Sequence, residues 1–226
     1  MIINIRGLSG SGKTTAVKNI MDLYENKEPF FLGKTKNPNG YKLTSQGINP
    51  LVVLGPYENK TGVGGCDTIN FQDQIKVLIE HYSLLGYDIL YESMQQSTST
   101  TMPTWALDFG QVVVLFLDIP LEQIAKQRAE RSIANGGTGV FETATGIITP
   151  ESIENAFVTL TSDQRIITKR VTHSDIVLTA YELLSKQVVR EVLQDNLREL
   201  YDLYTGAGIG VSRKAKENAK NTLFEW

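Results

Sequence analysis

Eight consecutive residues carry the strongest chemical signal in the chain. Gly7-Leu8-Ser9-Gly10-Ser11-Gly12-Lys13-Thr14 fits the pattern G-x-x-x-x-G-K-[ST] at every fixed position. Gly7, Gly10 and Gly12 let the backbone turn tightly and bring successive N–H groups onto phosphate oxygens. Lys13 is placed to reach the β- and γ-phosphates of a nucleotide, and the Thr14 hydroxyl to reach Mg²⁺. The small hydroxyl residues Ser9, Ser11 and Thr15 complete the candidate nucleotide-binding set. A bare Gly/Ser turn would also read this way, but the flanks argue against it. Ile2-Ile3-Asn4-Ile5 in front is of strand type, and Val17, Ile20, Met21 and Tyr24 behind recur at helical spacing. The helix N-terminus then adds partial positive charge at the same spot.

Charged residues further along supply what phosphoryl chemistry needs besides a cradle. An acceptor hydroxyl must lose a proton, so a carboxylate should stand near it. Asp67, after Gly62-Val63-Gly64-Gly65-Cys66, and Glu92, at the end of Tyr87-Asp88-Ile89-Leu90-Tyr91, are the candidates. Asp67 also reads as the N-cap of a following helix. Glu92 ends a strand expected beside the P-loop strand, where it would hold the Mg²⁺ shell through water. Asp88 starts that strand, on the wrong edge of the sheet for chemistry. Arg128 and Arg131 are three apart and share a helix face. Either they close over the phosphates as lid arginines, with Gly136-Gly137 as hinge, or Gln127-Arg128-Ala129-Glu130-Arg131 is a solvated surface.

The elements that must position these groups alternate. Pro29–Thr35 and Tyr41–Thr44 flank Asn37-Pro38-Asn39-Gly40 and read as a hairpin. Leu51–Leu54 and Val112–Asp118 read as buried strands. Helices are expected over 68–85, stopped by Gly86, from Pro120 to the glycines at 136–137, from Pro150 with a stripe of Ile153, Phe157, Leu160 and Ile167, and over 181–204. A Ser/Thr-rich loop spans 93–104, and Asp175–Thr179 reads as the last strand. Strands alternating with amphipathic helices imply an α/β fold. The sheet would be mainly parallel, of about five strands, with helices on both faces. One domain over 1–204 is expected, with an arginine-bearing lid near 126–150 and a C-terminal tail at 205–226.

Composition narrows the class. The 226 residues are 41% hydrophobic and 21% charged, ordinary for a globular protein. No apolar run is long enough to cross a membrane, and no signal peptide is visible, so no membrane partner and a cytoplasmic location are expected. Cys66 is the sole cysteine, which fits a reducing compartment; it reads as a packed residue and not a nucleophile. His81 and His173 stand far apart and form no zinc cluster. The net charge of −3 excludes a general polycation, yet the sign is uneven. Lys27, Lys34, Lys36 and Lys42 face only Glu28 within 27–42. Arg213, Lys214, Lys216 and Lys220 face Glu217 and Glu225 in the tail. These are either solvated surfaces or local contacts for a polyanion.

A P-loop names the ligand class and not the reaction. A GTPase switch needs an Asn-Lys-x-Asp stretch, but Asn26-Lys27 is followed by Glu28-Pro29. A motor ATPase usually ends a strand in paired acids, and Leu90-Tyr91-Glu92-Ser93 has one. Phe116-Leu117-Asp118-Ile119-Pro120-Leu121-Glu122 with Arg128 and Arg131 resembles the thymidylate-kinase-like P-loop kinases. Leu54-Gly55-x-Tyr57 with Gly64-Gly65-Cys66-Asp67-Thr68-Ile69 resembles bacteriophage kinases that phosphorylate the hydroxymethyl group of 5-hydroxymethyluracil in DNA, over residues 1–180. The resemblance implies ATP and Mg²⁺, hydroxymethylated DNA as partner, and the cytoplasm of an infected cell. Ordinary thymidylate kinases carry Asp-Arg-aromatic after the middle strand; Tyr91-Glu92-Ser93-Met94 stands there instead. A target base would leave the stack to reach Asp67, and Tyr41, Tyr57 and Trp105 either stack on it or pack in the core or a turn. A kinase for a free nucleotide or small hydroxyl compound, and a nucleotide-gated binding protein with little turnover, remain as alternatives.

Overall fold

The computed structural model describes residues 1–58, 64–69, 72–134, 136–138 and 148–185. Its strands are β1 (Ile2–Arg6), β2 (Asn26–Phe30), β3 (Gly40–Ser45), β4 (Ile48–Leu54), β5 (Asp88–Glu92), β6 (Val112–Leu117) and β7 (Ile166–Val171). They form one sheet in the order β2-β3-β4-β5-β1-β6-β7. The expected five strands become seven. β4, β5, β1, β6 and β7 run parallel, and the β2–β3 hairpin is antiparallel on the edge of β4.

The alternation of side chains along these strands makes two cores. Ile3 and Ile5, Leu90, and Val113 and Leu115 face one side. There they pack on α1 (Lys13–Met21) and α6 (Asp175–Ser185) through Ala16, Val17, Ile20, Ile176, Ala180 and Leu184. Ile2, Ile89, Tyr91, Val112, Val114 and Phe116 face the other side. Their partners come from α2 (Gln72–Leu84), α3 (Thr101–Ala106) and α5 (Pro150–Thr161). Helices therefore cover both faces, as the alternating pattern requires. α4 (Leu121–Ala134) follows β6 and buries Ile124.

Several boundaries differ from expectation. Asp175–Thr179 is the start of α6 and not a strand, because Ile176, Ala180 and Leu184 make a stripe four residues apart that is buried, while Leu178 is exposed. The last strand is β7, whose Ile166 and Val171 are buried while Lys169 and Arg170 point out from the sheet's edge. Ile167 accordingly belongs to that strand and not to the stripe of α5. α2 begins at Gln72, after a single 3₁₀ turn at Cys66–Thr68, and α3 starts inside the expected 93–104 loop. β2 begins at Asn26, three residues before the expected run, and Tyr24 lies beyond the end of α1. Within the expected lid, 135 and 139–147 lie outside the described residues. So do 186–204 of the expected final helix and the whole tail. No helix among the described residues is long and apolar enough to cross a membrane.

Candidate active site

Parallel strands present their carboxyl ends along one edge, and the crevice forms where the connections diverge. β1 sits at that point, between β5 and β6. The loop Gly7–Gly12 leaves its end. Gly12, at φ 84 and ψ 18, starts α1 with no side-chain cap, so the first-turn N–H groups point to the loop's hollow. Ser11 is fully buried and its hydroxyl has no partner among the described residues. Lys13 is 7% exposed, and its Nζ donates to the carbonyls of Gly7 at 2.9 Å and Leu8 at 3.0 Å. Burial pulls its ammonium below the ordinary value; Glu92 and Asp67 oppose that shift, and Arg128 and Arg131 reinforce it. All four groups singled out in the sequence thus act electrostatically on one lysine.

Glu92 shares the α1 face of the sheet with Leu90, two residues earlier on β5. Thr14 Oγ1 donates to Glu92 Oε1 at 2.9 Å. Burial pushes the Glu92 carboxyl above the usual carboxylate range, against the charge of Lys13 and the Thr14 hydrogen bond. A hydroxyl beside one carboxylate is a donor set that suits Mg²⁺. That ion takes one or two carboxylates and completes its shell with water and substrate phosphate. No denser His/Cys/Asp/Glu cluster occurs among the described residues.

The glycine loop after β4 reaches this pair by close backbone approach. A Cβ on Gly65 would lie 2.7 Å from Glu92 Oε1, and one on Gly64 would lie 2.8 Å from Thr14 Cγ2. Gly62 lies outside the described residues. Gly65 sits at φ +84, and the open Gly47, with nothing within 4 Å, at φ +78. At ψ 175 Gly65 lies in a region essentially confined to glycine, where alanine incurs about 1–3 kcal/mol of backbone strain, and Gly47→Ala is the control for a positive φ with no contact. Gly65→Ala alone also displaces the Glu92 carboxylate, so ATP affinity in Mg²⁺ should fall for it and hold for Gly47→Ala. Titration calorimetry giving equal affinities for the two would separate Glu92 from nucleotide binding.

Asp67 is not the N-cap of α2, which starts five residues later. It accepts from Ser93 Oγ at 2.5 Å and from the N–H of Gln95 at 3.2 Å on Oδ1, and from the N–H of Met94 at 2.7 Å on Oδ2. Its carboxylate is thereby locked to the turn that follows Glu92. Among the described residues three donors occupy three of about four lone-pair sites.

On the other side of β1, Arg128 from α4 lies across the P-loop. Its Nε donates to the Ser9 carbonyl at 2.7 Å, and a Cβ on Gly10 would come within 2.7 Å of its Cγ. Arg131 is exposed and contributes charge, countering the burial of Glu92. No family model matches the sequence. The chain is 40% identical over 122 residues to a 5-hmdU DNA kinase of Pseudomonas phage PaMx11. That alignment covers 54% of this chain and 64% of the relative, so the chain spans just under two thirds of the curated relative it matches.

Three residues that the sequence did not point to belong to the same edge. His173 covers the start of α1: a Cβ on Gly12 would sit 2.1 Å from His173 Cε1. A last strand at 175–179 would put it before the strand, which hides its place. With β7 ending at Val171, position 173 falls at the edge that carries the P-loop. Arg6 ends β1 on the opposite face, fully buried, with Nε donating to Asn4 Oδ1 at 2.5 Å and Nη1 to the Ser97 carbonyl at 3.3 Å. It stacks on Phe116, its cross-strand partner, and burial pulls its guanidinium down to about 10. Ser97 Oγ in turn donates to the carbonyls of Gly7 and Ser93. The turn that Asp67 grips is thus tied to the first residue of the P-loop. Only Asn4 among its partners is close in sequence; Ser97 and Phe116, which fix the guanidinium at this edge, are far along the chain, so nothing local marks the arginine.

For two of the aromatic residues the structure supports the packing reading and not base stacking. Tyr41 and Tyr57 are each 1% exposed and belong to the core, the Tyr41 hydroxyl accepting from the N–H groups of Tyr57 and Glu58. Trp105 is half-buried against Phe109, with Lys76 over its ring. Cys66 is packed, its thiol pointing to the Leu54 carbonyl and pushed up by burial. Asp88 lies at the far edge, as expected, accepting from the Met1 amino group and Asn49.

Proposed function

We propose that the chain is a kinase that moves the γ-phosphoryl group of ATP to the hydroxymethyl group of 5-hydroxymethyluracil in DNA. The reaction would take place in the cytoplasm of an infected cell. The observation that carries the reaction class is the convergence of Lys13, the Thr14–Glu92 pair and Arg128 on one glycine loop. The curated relative supports the choice of acceptor. In this reading residues 1–204 form one kinase domain and 126–150 its lid.

The roles follow from the chemistry of the groups. The P-loop N–H groups and Ser11 bind phosphate oxygens, with Ser9, Gly7, Gly10, Gly12 and Thr15 shaping the cradle. Lys13 neutralises charge on the β- and γ-phosphates. Thr14 and Glu92 would hold Mg²⁺, which would supply positive charge to offset that of the phosphates. Arg128 and Arg131 supply positive charge where negative charge accumulates as the bond to the leaving ADP oxygen breaks. Asp67 takes the proton from the acceptor hydroxyl as its oxygen bonds to phosphorus.

A transfer assay with labelled γ-phosphate tests this, with hydroxymethyluracil DNA, unmodified DNA and free nucleoside monophosphates offered side by side. Label is expected in the hydroxymethylated DNA. Label in a free nucleotide alone would make the protein a small-molecule kinase. Slow hydrolysis with no labelled acceptor would make it a nucleotide-gated binding protein.

A further inference from the structure

The site is divided by β1. Groups that cover the P-loop, Arg128 and His173, come from the connections after β6 and β7. Asp67, Glu92 and Gly65 come from the connections after β4 and β5. An acceptor therefore approaches from the β4–β5 side. The next feature along that direction is the tip of the β2–β3 hairpin. The register Gly40↔Leu54 and Phe30↔Gly40 puts the tip, residues 31–39, beyond the carboxyl end of β4, at the catalytic edge.

The tip is braced. Asn39 accepts from the Gly55 N–H on its carbonyl at 2.8 Å, and its side-chain oxygen accepts from Leu32 N–H at 2.7 Å and the Thr35 hydroxyl. Phe30 anchors the base of the hairpin on Tyr82, with ring centroids 5.2 Å apart. The structure also sorts the four lysines of this segment. Lys27 is paired with Asp22 and Glu58, and Lys42 with Glu28. Lys34 and Lys36 are exposed on the tip, and neither has an acidic partner among the described residues. Phe31, 37% exposed, stands beside them.

We infer that this tip is a docking rail for the DNA strand that carries the target nucleotide. Lys34 and Lys36 pair with its phosphates, and Phe31 offers a face to a flanking base. The inference rests on the proposed DNA acceptor and adds to it a reason why a polymer is preferred to a free nucleotide. β3 stands three strand spacings from β1, roughly 14 Å at about 4.8 Å each. At about 3.4 Å of rise per nucleotide this is about four nucleotides from the reacting one.

The test compares wild type with the double variant Lys34→Ala/Lys36→Ala. The charge-keeping Lys34→Arg/Lys36→Arg and Lys169→Ala serve as controls. Lys169 is exposed on β7, at the opposite side of the sheet. Binding to a fluorescent single-stranded oligonucleotide is followed by anisotropy over a salt series. The Ala double variant should lose about 1.4 from the slope of log K against log salt, two contacts at about 0.7 each. Between about 50 and 200 mM salt, wild-type affinity should then fall about sevenfold more than that of the variant. KM is measured on a hydroxymethylated strand with long flanks and on one with a single nucleotide on either side. The Ala variant should lose the preference for the longer strand, with KM for the short strand and for ATP unmoved. Both controls should behave as wild type. An unchanged slope in the Ala variant, or an equal loss in Lys169→Ala, overturns the inference. If the slope falls as expected but no DNA is phosphorylated, the rail stands and the proposed acceptor does not.

Discussion

Lys13→Ala is expected to abolish phosphoryl transfer in a protein that remains folded. The Lys13 ammonium has three donors, and the Gly7 and Leu8 carbonyls take two. Removing it forfeits two hydrogen bonds worth about 1 kcal/mol each but also relieves the burial of a charge, so the net change in stability should be less than about 2 kcal/mol. The catalytic loss is of another size. A preorganised charge in a water-poor site acts on oxygens whose charge builds during transfer, and removing one such donor costs at least about 10²–10³ in kcat. Measured turnover and thermal melting, taken together, check this. Near-normal turnover in a well-folded variant would show that the glycine loop does not serve phosphate.

Arg128→Ala should lower kcat by about 10³ while changing the affinity for ATP little, the mark of a charge applied mainly in the transition state. Its contact with the Ser9 carbonyl holds the guanidinium against the loop. Arg131 is exposed and exerts only its charge, so Arg131→Ala should have the smaller effect. Steady-state kinetics over a range of ATP concentrations separates the two parameters. Wild-type kcat in both variants would make the pair a solvated helix surface. A rise in KM with kcat untouched would make Arg128 a simple binding group.

How much of the site the sequence discloses depends on how local each signal is. The P-loop is contiguous, so strand, glycines and helix could be read together. Glu92 was legible because it ends an apolar run, and parallel packing puts such an end beside β1. The 175–179 segment misled because Ile176-Val177-Leu178 is as apolar as a strand. Only the four-residue spacing through Ala180 to Leu184 identifies the helix that packs on α1. That error hid His173 as well, since a residue's place at the catalytic edge depends on where its strand stops. Asp67 was found for its position after the glycines, but its partners Ser93, Met94 and Gln95 arise from the docking of one loop on another. No spacing within either loop encodes that meeting.

The two outer strands of the sheet have a consequence for how the protein behaves at high concentration. β2 reads Asn26-Lys27-Glu28-Pro29-Phe30, and Pro29 supplies no N–H for a further ladder. On the opposite side, β7 exposes Lys169 and Arg170, and Arg170 is drawn down onto the Phe157 ring and Glu154 of α5. An unpaired strand is otherwise a template for aggregation. Here each flank offers charge, and one also offers a gap in the donor row, so a partly unfolded neighbour finds no continuous seam on which to grow. Among the described residues, resistance to edge-to-edge pairing is therefore built into the flanks of the sheet, apart from the edge that carries the P-loop.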